Sequence, residues 1–486
     1  MNSLFDRGQA IDSDQPQTIP GGLRNPPPDR VLVLLKAHHQ LHLLRHWNAL
    51  DARQRAAFTA QIESIDWEMT HRLRALAEAG TSSANLEWMA RCRSPDTQEG
   101  SDAARAVEVG REALAAGRFG AILVAGGQGT RLGFDGPKGN FPIGPLSGRT
   151  LFGYLLGGLM AVQRRYGRRV PLAIMTSSAT DAATREALRT HDYFGLDPRQ
   201  ILVFQQGDVP PLTTEGCRML LDAPDRVAMA PDGHGGLLQA LVSAEGLRWF
   251  EDRGIDHVAY FQVDNPLVKP LDPEFVGRHL LASADISTQV VEKSDPTERV
   301  GIVVEIDGKT MLVEYSDLPR NFAAETLPTG RLKLHWGSIA VHCFRLGFLD
   351  ASVRRASDPL PFHLARKTVP FVNDEGHRLT PHEPNAWKFE RFIFDLFSIA
   401  TRVVVHRIQP TDGFAPLKNP PGSTKDGPEQ VRQAIIVHDR ELLARAGVRV
   451  DPGIVVEIDP AHILDERDIP TFVMPGTTLT GPSIIG

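Results

Sequence analysis

The residues best suited to chemistry in this 486-residue chain follow a short apolar run at 121–124. Three glycines, a threonine and two cations come next: Gly126, Gly127, Gly129, Thr130, Arg131 and Lys138. Glycines let the backbone turn tightly and leave its N–H groups open to a ligand, and such groups bind anions. A tight strand-to-helix turn without a ligand is the alternative interpretation. Because two cations and a proline are spaced along the same loop, we predict a nucleotide phosphate site at residues 126–139, here called the glycine loop.

The glycine loop does not fit the two common phosphate-binding motifs. A dinucleotide fingerprint that begins at Gly127 needs a third glycine where Leu132 stands. A Walker A loop ends in Gly-Lys-Ser/Thr, but Lys138 lies between Pro137 and Gly139. The spacing therefore disfavours both an NAD-dependent dehydrogenase and a P-loop kinase.

The elements that must position this loop alternate between strands and helices. Apolar runs predict strands and periodic segments predict helices at 121–124, 150–164, 170–176, 182–189, 201–204 and 258–263. This alternation indicates an α/β fold, in which ligands bind at the carboxyl ends of the strands. Gln206 and Asp264 follow two of the runs, so we expect them near the glycine loop.

The remaining segments predict helices at the beginning and antiparallel strands in the second half. Residues 31–78 and 101–118 have helical spacing, and Asp307-Gly308 is a hairpin turn signal. Residues 387–400 predict a strongly apolar amphipathic helix. A proline- and glycine-rich segment at 412–425, here called the lysine loop, contains Lys418. We expect three domains: an arm and helical domain at 1–115, a catalytic core at 116–440, and a small β-rich domain at 441–486.

Three histidines stand at helical spacing near the N-terminus. His38, His42 and His46 occupy positions i, i+4 and i+8, which would suit a metal stripe. Because no cysteine or carboxylate completes a ligand set nearby, we interpret them as a polar helix face.

Composition excludes several classes of protein. Apolar residues make up 42% of the chain and charged residues 23%, as in ordinary globular proteins. A net charge of −6 disfavours a general nucleic-acid binder. The three cysteines are far apart and odd in number, which indicates a reducing compartment. The sequence shows no signal peptide and no apolar run of membrane-spanning length. We expect a cytoplasmic protein without nucleic-acid or membrane partners, and the oligomeric state stays open.

Eight segments occur in an order that resembles a known family. They are GGQGTRLG…PKG (126–139), YFGL (193–196), FQQG (204–207), MAPDGHGG (229–236), VDN (263–265), VVEKSDPTERVG (290–301), VEYSD (313–317) and PLKN (416–419). From about residue 41 to 420, the chain is similar to the eukaryotic-type UDP-sugar pyrophosphorylases, and most like the UDP-N-acetylhexosamine enzymes. The resemblance implies a Rossmann-like nucleotidyltransferase core with a mixed sheet, flanked by an N-terminal helical domain and a small C-terminal β-rich domain.

The resemblance also implies a UTP-dependent uridylyltransferase. In this reaction a hexose 1-phosphate attacks the α-phosphorus of UTP, so the protein has to align the reactants and neutralise charge. Arg131, Lys138 and Lys418 are the implied catalytic cations, Asp264 is the implied Mg²⁺ ligand, and Gln206 is the implied uracil reader. A carboxylate beside phosphate oxygens suits Mg²⁺, and an amide that donates and accepts suits uracil. Surface cations, a turn-capping aspartate and an exposed loop are the alternatives.

Further positions are implied to contact the uridine and the sugar. They are Pro231 and Gly233 for the nucleotide, and His234, Gly301, Glu314, Ser338, Phe392 and Phe394 for the sugar. His234 and Ser338 depart from the acetylhexosamine pattern, which has asparagine at both positions. A histidine at the first position also occurs in the related UDP-glucose enzymes, whereas the two phenylalanines match those that flank the N-acetyl group. Plain helix core is the alternative for the phenylalanines.

Three functions follow from this pattern. The first is transfer of uridylyl to N-acetylglucosamine 1-phosphate, the second is the same reaction on glucose 1-phosphate, and the third is a UDP-sugar-binding regulator without turnover. The retained cations favour an enzyme over the regulator. The sequence does not separate N-acetylglucosamine from N-acetylgalactosamine, which differ at one hydroxyl.

Overall fold

The computed structural model describes residues 22–80, 89, 91–97, 102–355 and 360–486. These residues form two compact units. The first unit contains the described residues up to 80 together with Gly207–Gly233 and Pro361–Phe392, and the second contains the rest. This division differs from the three predicted domains, because two later segments join the N-terminal helices. The predicted boundaries at 115/116 and 440/441 stay predictions.

The first unit is built on short helices. They span Asp29–Ala37, Leu41–Ala49 (a 3-10 helix), Ala52–Ser64 and Trp67–Ala79. The third begins with a capping box, in which the Asp51 carboxylate accepts from the Gln54 N–H. Buried Trp47 and Phe58 share one apolar cluster with Leu212 and Phe389. These shared apolar contacts explain why segments distant in sequence belong to one unit.

The histidine stripe of the first unit has a structural role. The His42 Nε2 atom lies 2.8 Å from the Met219 carbonyl oxygen, and the His46 Nε2 atom lies 3.0 Å from that of Asn373. Burial lowers the pKa of His42 to about 4, so its ring is neutral at pH 7. No group of three metal-ligating side chains suited to a metal ion occurs in the described part of the chain.

The helix predicted at 387–400 is wrong. Ala386–Glu390 is a strand that pairs antiparallel with His363–Lys367, and Ile393–Ile399 is a 3-10 helix. In this register Phe389 pairs with Leu364 and is fully buried. The apolar side chains therefore belong to two different elements, and together their spacing resembles that of a single amphipathic helix.

A mixed nine-stranded sheet forms the centre of the second unit, which confirms the predicted α/β fold. Its main path runs in the order Lys309–Val313, Ile302–Ile306, Trp336–Arg345, His257–Gln262, Phe119–Val124, Leu172–Thr176 and Ile201–Gln205. Ile286–Glu292 and Val403–Arg407 complete the sheet. Phe119–Val124 is parallel to both of its neighbours, so its carboxyl end and theirs lie at one edge. The glycine loop leaves the sheet at that edge.

Ten α-helices of the second unit lie among the described residues. They span Ala103–Ala115, Leu151–Tyr166, Asp181–Thr190, Leu237–Ser243, Gly246–Glu251, Pro273–Leu281, Arg320–Ala323, Leu346–Arg355, Pro410–Gly413 and Pro428–Arg445. Strand residues such as Ile122 and Phe261 are fully buried, as expected of a sheet covered on both faces. The predicted hairpin at Asp307-Gly308 is confirmed, with φ angles of 51° and 78°.

The helices Ala103–Ala115 and Pro273–Leu281 are in contact at a glycine. A Cβ atom at Gly277 would lie 1.7 Å from the carbonyl oxygen of Ala106. Gly277→Ala is therefore expected to lower the free energy of unfolding by about 1–3 kcal/mol, measured by denaturant titration. Gly158→Ala is the matched control, because its Cβ would meet no atom within 4 Å. The control should raise that free energy by about 0.5–1 kcal/mol, and equal losses in both variants would contradict the close packing.

The C-terminal residues add two short parallel strand pairs. Arg449–Val450 pairs with Thr478–Leu479, and Val456–Ile458 pairs with Ser483–Ile485. Buried Glu457 accepts hydrogen bonds from the Ser147 N–H at 2.7 Å and the Tyr154 hydroxyl at 2.7 Å. This carboxylate fastens the C-terminal strands to the chain that follows the glycine loop. None of the helices described here combines the length and apolarity that crossing a bilayer requires.

Candidate active site

The glycine loop closes on itself at the end of its strand. The Gly129 N–H donates to the Gly136 carbonyl oxygen at 2.8 Å, and the Lys138 N–H donates to that of Gly127 at 3.0 Å. A Cβ atom at Gly139 would lie 2.2 Å from the Phe152 ring, so the chain can pass there only as glycine. These contacts fix the backbone on both sides of Lys138.

Gln206 lies against the glycine loop. Its N–H donates to the Thr176 carbonyl oxygen, which places it at the ends of adjacent strands. Its side-chain oxygen would be 3.0 Å from a Cβ at Gly126, so a larger residue there would displace the amide. Buried Ser177 donates from its hydroxyl to the Gly126 carbonyl oxygen at 2.8 Å. Sequence reasoning missed Ser177, although it directly follows a predicted strand.

The lysine loop reaches the same edge of the sheet. The Lys138 ammonium donates to the Leu417 carbonyl oxygen at 3.1 Å. The Leu417 N–H in turn donates to the Asp264 carbonyl oxygen at 2.8 Å. Lys418 is the next residue, so it joins Lys138 and Asp264 at this edge. Three residues predicted from separate segments are thus brought together by two hydrogen bonds.

Asn265 holds the lysine loop in place, a role that sequence reasoning missed. Its buried amide donates to the Gly413 carbonyl oxygen at 2.8 Å and accepts from the Ala415 N–H at 3.1 Å. The VDN segment contained the signal, because an asparagine beside a strand-end aspartate is suited to bind backbone groups of a neighbouring loop.

The charges around the lysine loop are mutually coupled. Burial raises the pKa of Asp426, and nearby Lys418 and Lys425 oppose this rise. Glu298 and Asp264 also raise this pKa, which shows that carboxylates and ammonium groups from several segments share one electrostatic neighbourhood. Such a cluster is suited to a polyanionic ligand that brings its own cation.

Arg131 lies on the exposed side of the glycine loop. It belongs to the short 3-10 turn Thr130–Leu132. Its guanidinium has no ion-pair or hydrogen-bond partner among the residues that the structure describes. An exposed, unpaired guanidinium is suited to bind a phosphate, and the contact of Arg131 with one stays a prediction.

The predicted sugar residues of the antiparallel strands are also brought together. The Ser338 N–H donates to the Gly301 carbonyl oxygen at 2.8 Å. Ile302 pairs with Val313, so Glu314 follows directly beside Gly301. The sheet thus places Gly301, Glu314 and Ser338 at one strand end, and their contact with a sugar stays a prediction.

His234 and Phe394 form a second group. The His234 Nδ1 atom accepts a hydrogen bond from the Ile393 N–H at 3.2 Å, and its ring centroid lies 5.6 Å from that of Phe394. Because Nδ1 accepts, the neutral ring carries its proton on Nε2. The ring of His234 thus replaces an asparagine amide of the acetylhexosamine pattern, and its contact with a sugar stays a prediction.

The first unit holds Pro231, Gly233 and Phe392. Gly233 has a φ of 84°, and a Cβ there would lie 2.5 Å from the Arg391 carbonyl oxygen. The buried Arg391 guanidinium lies 3.3 Å from the Asp232 carboxylate. This ion pair joins the segment of Gly233 to the segment of Phe392 within the unit. Sequence reasoning missed it, because neither residue type by itself indicates a partner more than a hundred residues away.

Asp264 suits the divalent cation that the resemblance implies. Its half-buried carboxylate has no hydrogen-bond or ion-pair partner within the described ranges, and its residue lies beside Lys138 and Lys418. A hard cation that retains several waters needs one or two carboxylates and the oxygens of a phosphate. The residues present therefore fit Mg²⁺ that arrives with a triphosphate.

Comparison with known proteins shows which family the chain resembles. The model of the UTP–glucose-1-phosphate uridylyltransferase family matches residues 73–334. UDP-N-acetylhexosamine pyrophosphorylase-like protein 1 of Mus musculus is 36% identical over 436 residues, which cover 86% of each chain. UDP-N-acetylglucosamine pyrophosphorylase of Saccharomyces cerevisiae is 36% identical over 356 residues, 72% of this chain and 75% of that protein.

A solved structure shares the fold. The Trypanosoma brucei uridine diphosphate N-acetylglucosamine pyrophosphorylase, in complex with an inhibitor, superimposes with a TM-score of 0.76 at 26% identity. The match covers 93% of this chain and 95% of that one. Fold and site together define an α/β nucleotidyltransferase. The chain belongs to the family of the UDP-sugar pyrophosphorylases.

Proposed function

We propose that the protein transfers the uridylyl group of UTP to N-acetylglucosamine 1-phosphate. The products are UDP-N-acetylglucosamine and pyrophosphate. The observation that supports the proposal is the convergence of Lys138, Leu417-Lys418 and Asp264 at the sheet edge that also carries Gln206. In the proposal these residues are the phosphate cations, the metal ligand and the base reader. The choice of sugar rests on the names of the relatives and on Phe392 and Phe394.

The chemistry needs no covalent intermediate. An oxygen of the sugar phosphate attacks the α-phosphorus of UTP, a new O–P bond forms, and the bond to the β-phosphate oxygen breaks with its electron pair on pyrophosphate. Lys138 and Arg131 neutralise charge that builds on the leaving group, and Lys418 acts from the lysine loop. Bound Mg²⁺ supplies further neutralisation and orients the phosphates. We propose Asp264 as its protein ligand.

Recognition of the base rests on Gln206. Its side-chain NH2 group can donate to a uracil carbonyl, and its side-chain oxygen can accept from the ring N–H. The side-chain rotamer decides which of the two faces the base. Its backbone is tied to Thr176, so the amide is presented at a fixed distance from the glycine loop. Pro231 and Gly233 stay predicted nucleotide contacts.

Glucose 1-phosphate is the alternative acceptor, because His234 and Ser338 replace two asparagines of the acetylhexosamine pattern. Phe394 favours the acetylated sugar, since an apolar side chain gains from burying a methyl group.

A substitution of Phe394 tests whether this side chain favours the acetylated sugar. Phe394→Leu is expected to lower kcat/KM for N-acetylglucosamine 1-phosphate about tenfold and to leave the value for glucose 1-phosphate within about threefold, measured by pyrophosphate release. Phe397→Leu removes a similar ring from the same 3-10 helix and serves as the control for lost packing. An equal loss of kcat/KM for both sugar phosphates in the Phe394 variant would show that Phe394 packs in the core and does not select the sugar.

Omission experiments test the reaction itself. Pyrophosphate is expected only when UTP, Mg²⁺ and the sugar phosphate are all present. Tight UTP binding without pyrophosphate for any hexose 1-phosphate would support a UDP-sugar-binding regulator instead. A cytoplasmic location is also our proposal. It agrees with the three buried cysteines, Cys92, Cys217 and Cys343, which form no disulfide within the described residues.

A further inference from the structure

Lys293 is a buried cation for which the reaction described above has no use. It follows directly on the strand Ile286–Glu292 in the second unit. Only 2% of the residue is exposed. Its backbone N–H donates to the His335 carbonyl oxygen at 2.7 Å. Within the part of the chain that the structure describes, its ammonium has no hydrogen-bond or ion-pair partner. An ammonium on a residue that is so little exposed is costly without a direct counter-charge, so its presence needs an explanation.

The two acidic residues that act electrostatically on Lys293 accept hydrogen bonds within their own loop. The Glu298 carboxylate accepts from the N–H groups of Ser294 and Asp295, at 3.3 and 3.1 Å. The Asp295 carboxylate accepts from the N–H and the hydroxyl of Thr297. Both carboxylates act on Lys293 from a distance, but neither forms an ion pair with it. The direct counter-charge that this lysine requires is therefore not supplied by its neighbours in the described chain.

Lys293 and Asp264 lie at the same edge of the sheet, because Ile286–Glu292 and His257–Gln262 both pair antiparallel with Trp336–Arg345 and therefore run in one direction. The side-chain stem of Lys293 lies 3.2 Å from a Cβ built on Gly337, the residue before Ser338. Ser338 follows on the same strand and is hydrogen-bonded to Gly301, so the stem packs against the strand that carries one of the predicted sugar residues, on the face opposite the Ser338 side chain. The Lys425 ammonium of the lysine loop acts electrostatically on Lys293, and it also acts on Asp426 together with Lys418 and Asp264.

We propose that Lys293 is a further catalytic residue, whose ammonium binds the phosphate of the hexose 1-phosphate. This inference rests on the proposed function. The attacking phosphate has to lie between the sugar and the α-phosphorus of UTP, and the cations assigned so far belong to the triphosphate side. Burial lowers the pKa of the Lys293 ammonium, and the charge of Lys425 lowers this pKa further. Glu298 and Asp295 oppose the change in part. A phosphate dianion beside the ammonium would favour its charged form.

The test compares Lys293→Met with Lys309→Met, which removes an exposed lysine at the start of Lys309–Val313. Lys293→Met is expected to raise KM for the sugar phosphate about 10–100-fold and to leave KM for UTP within about twofold, since one charged hydrogen bond is lost. The melting temperature of the ligand-free variant should be unchanged or higher, because an unpaired buried charge is removed. The control should match the wild type in all three quantities.

Other outcomes overturn the proposal. The first is an unchanged KM for the sugar phosphate. The second is an equal rise of KM for both substrates together with a lower melting temperature. If the methionine variant does not fold, Lys293→Gln is used with the same readouts. Calorimetric titration keeps the inference separate from the proposed function: Lys293→Met should weaken UDP-N-acetylglucosamine but not UMP, even where the wild type shows no turnover. Equal affinities of variant and wild type for UDP-N-acetylglucosamine would refute it.

Discussion

Replacing Lys138 with methionine should lower kcat for UDP-sugar formation by about 10²–10³, the usual effect of losing one preorganised charge at a developing anion. Two physical reasons act together. The ammonium neutralises the leaving pyrophosphate, and its hydrogen bond to the Leu417 carbonyl oxygen holds the lysine loop to the glycine loop. Methionine keeps the apolar stem and removes both effects. Steady-state kinetics with pyrophosphate detection measures the loss.

The control for Lys138 is Lys367→Met, which removes an exposed lysine from a strand of the first unit. It should leave kcat unchanged. Lys138→Arg should recover part of the rate, because the charge returns in a different shape. If Lys138→Met turned over at the wild-type rate, the glycine loop would not be the site of the leaving group.

Replacing Asp264 with asparagine should have a comparable effect, a loss of about 10² or more in kcat. The carboxylate is the protein ligand proposed for Mg²⁺, and an amide oxygen of the same shape lacks its charge. The backbone carbonyl of residue 264, which binds the Leu417 N–H, is unaltered, so the lysine loop should stay in place. The rate should saturate at a higher Mg²⁺ concentration than in the wild type.

Asp252→Asn is the matched control, since it removes an exposed carboxylate at the end of the helix Gly246–Glu251. Its Mg²⁺ response should equal that of the wild type. An Asp264 variant with a normal kcat and a normal Mg²⁺ response would remove Asp264 from the metal site.

Much of the second unit could be predicted from local pattern. Buried parallel strands are continuous apolar runs, so Ile122–Leu123 and its neighbours stand out in the sequence. The hairpin at Asp307-Gly308 needs two positive φ angles, and its residue types indicate it. The composition of the first unit was not predictable in this way, because Leu212 and Phe389 join Trp47 only through tertiary packing.

The segment 387–400 shows the limit of periodicity. Its apolar spacing fits a helix, yet Phe389 is buried by pairing with another strand, and Phe394 packs after the chain has changed element. The spacing of apolar residues does not reveal which partner covers each side chain. Only long-range contacts decide between a helix and a strand followed by a 3-10 turn.

The candidate site also contains some residues that the sequence predicts and others that it does not. Residues at strand ends, such as Gln206 and Asp264, were predictable because the topology of an α/β sheet collects them at one edge. Asn265 and Arg391 were missed, since their roles depend on partners that the sequence does not place beside them. Lys293 stood within a recognised segment, but only its burial without a direct counter-ion distinguishes it from a surface lysine.

The most direct measurement is pyrophosphate release from UTP and Mg²⁺ with N-acetylglucosamine 1-phosphate, N-acetylgalactosamine 1-phosphate and glucose 1-phosphate in turn. We expect turnover with N-acetylglucosamine 1-phosphate, at a kcat/KM about tenfold or more above that for glucose 1-phosphate, the range that one apolar contact provides. Turnover that favours glucose 1-phosphate would contradict the choice of sugar. The absence of pyrophosphate with all three, from protein that binds UTP, would contradict uridylyl transfer itself.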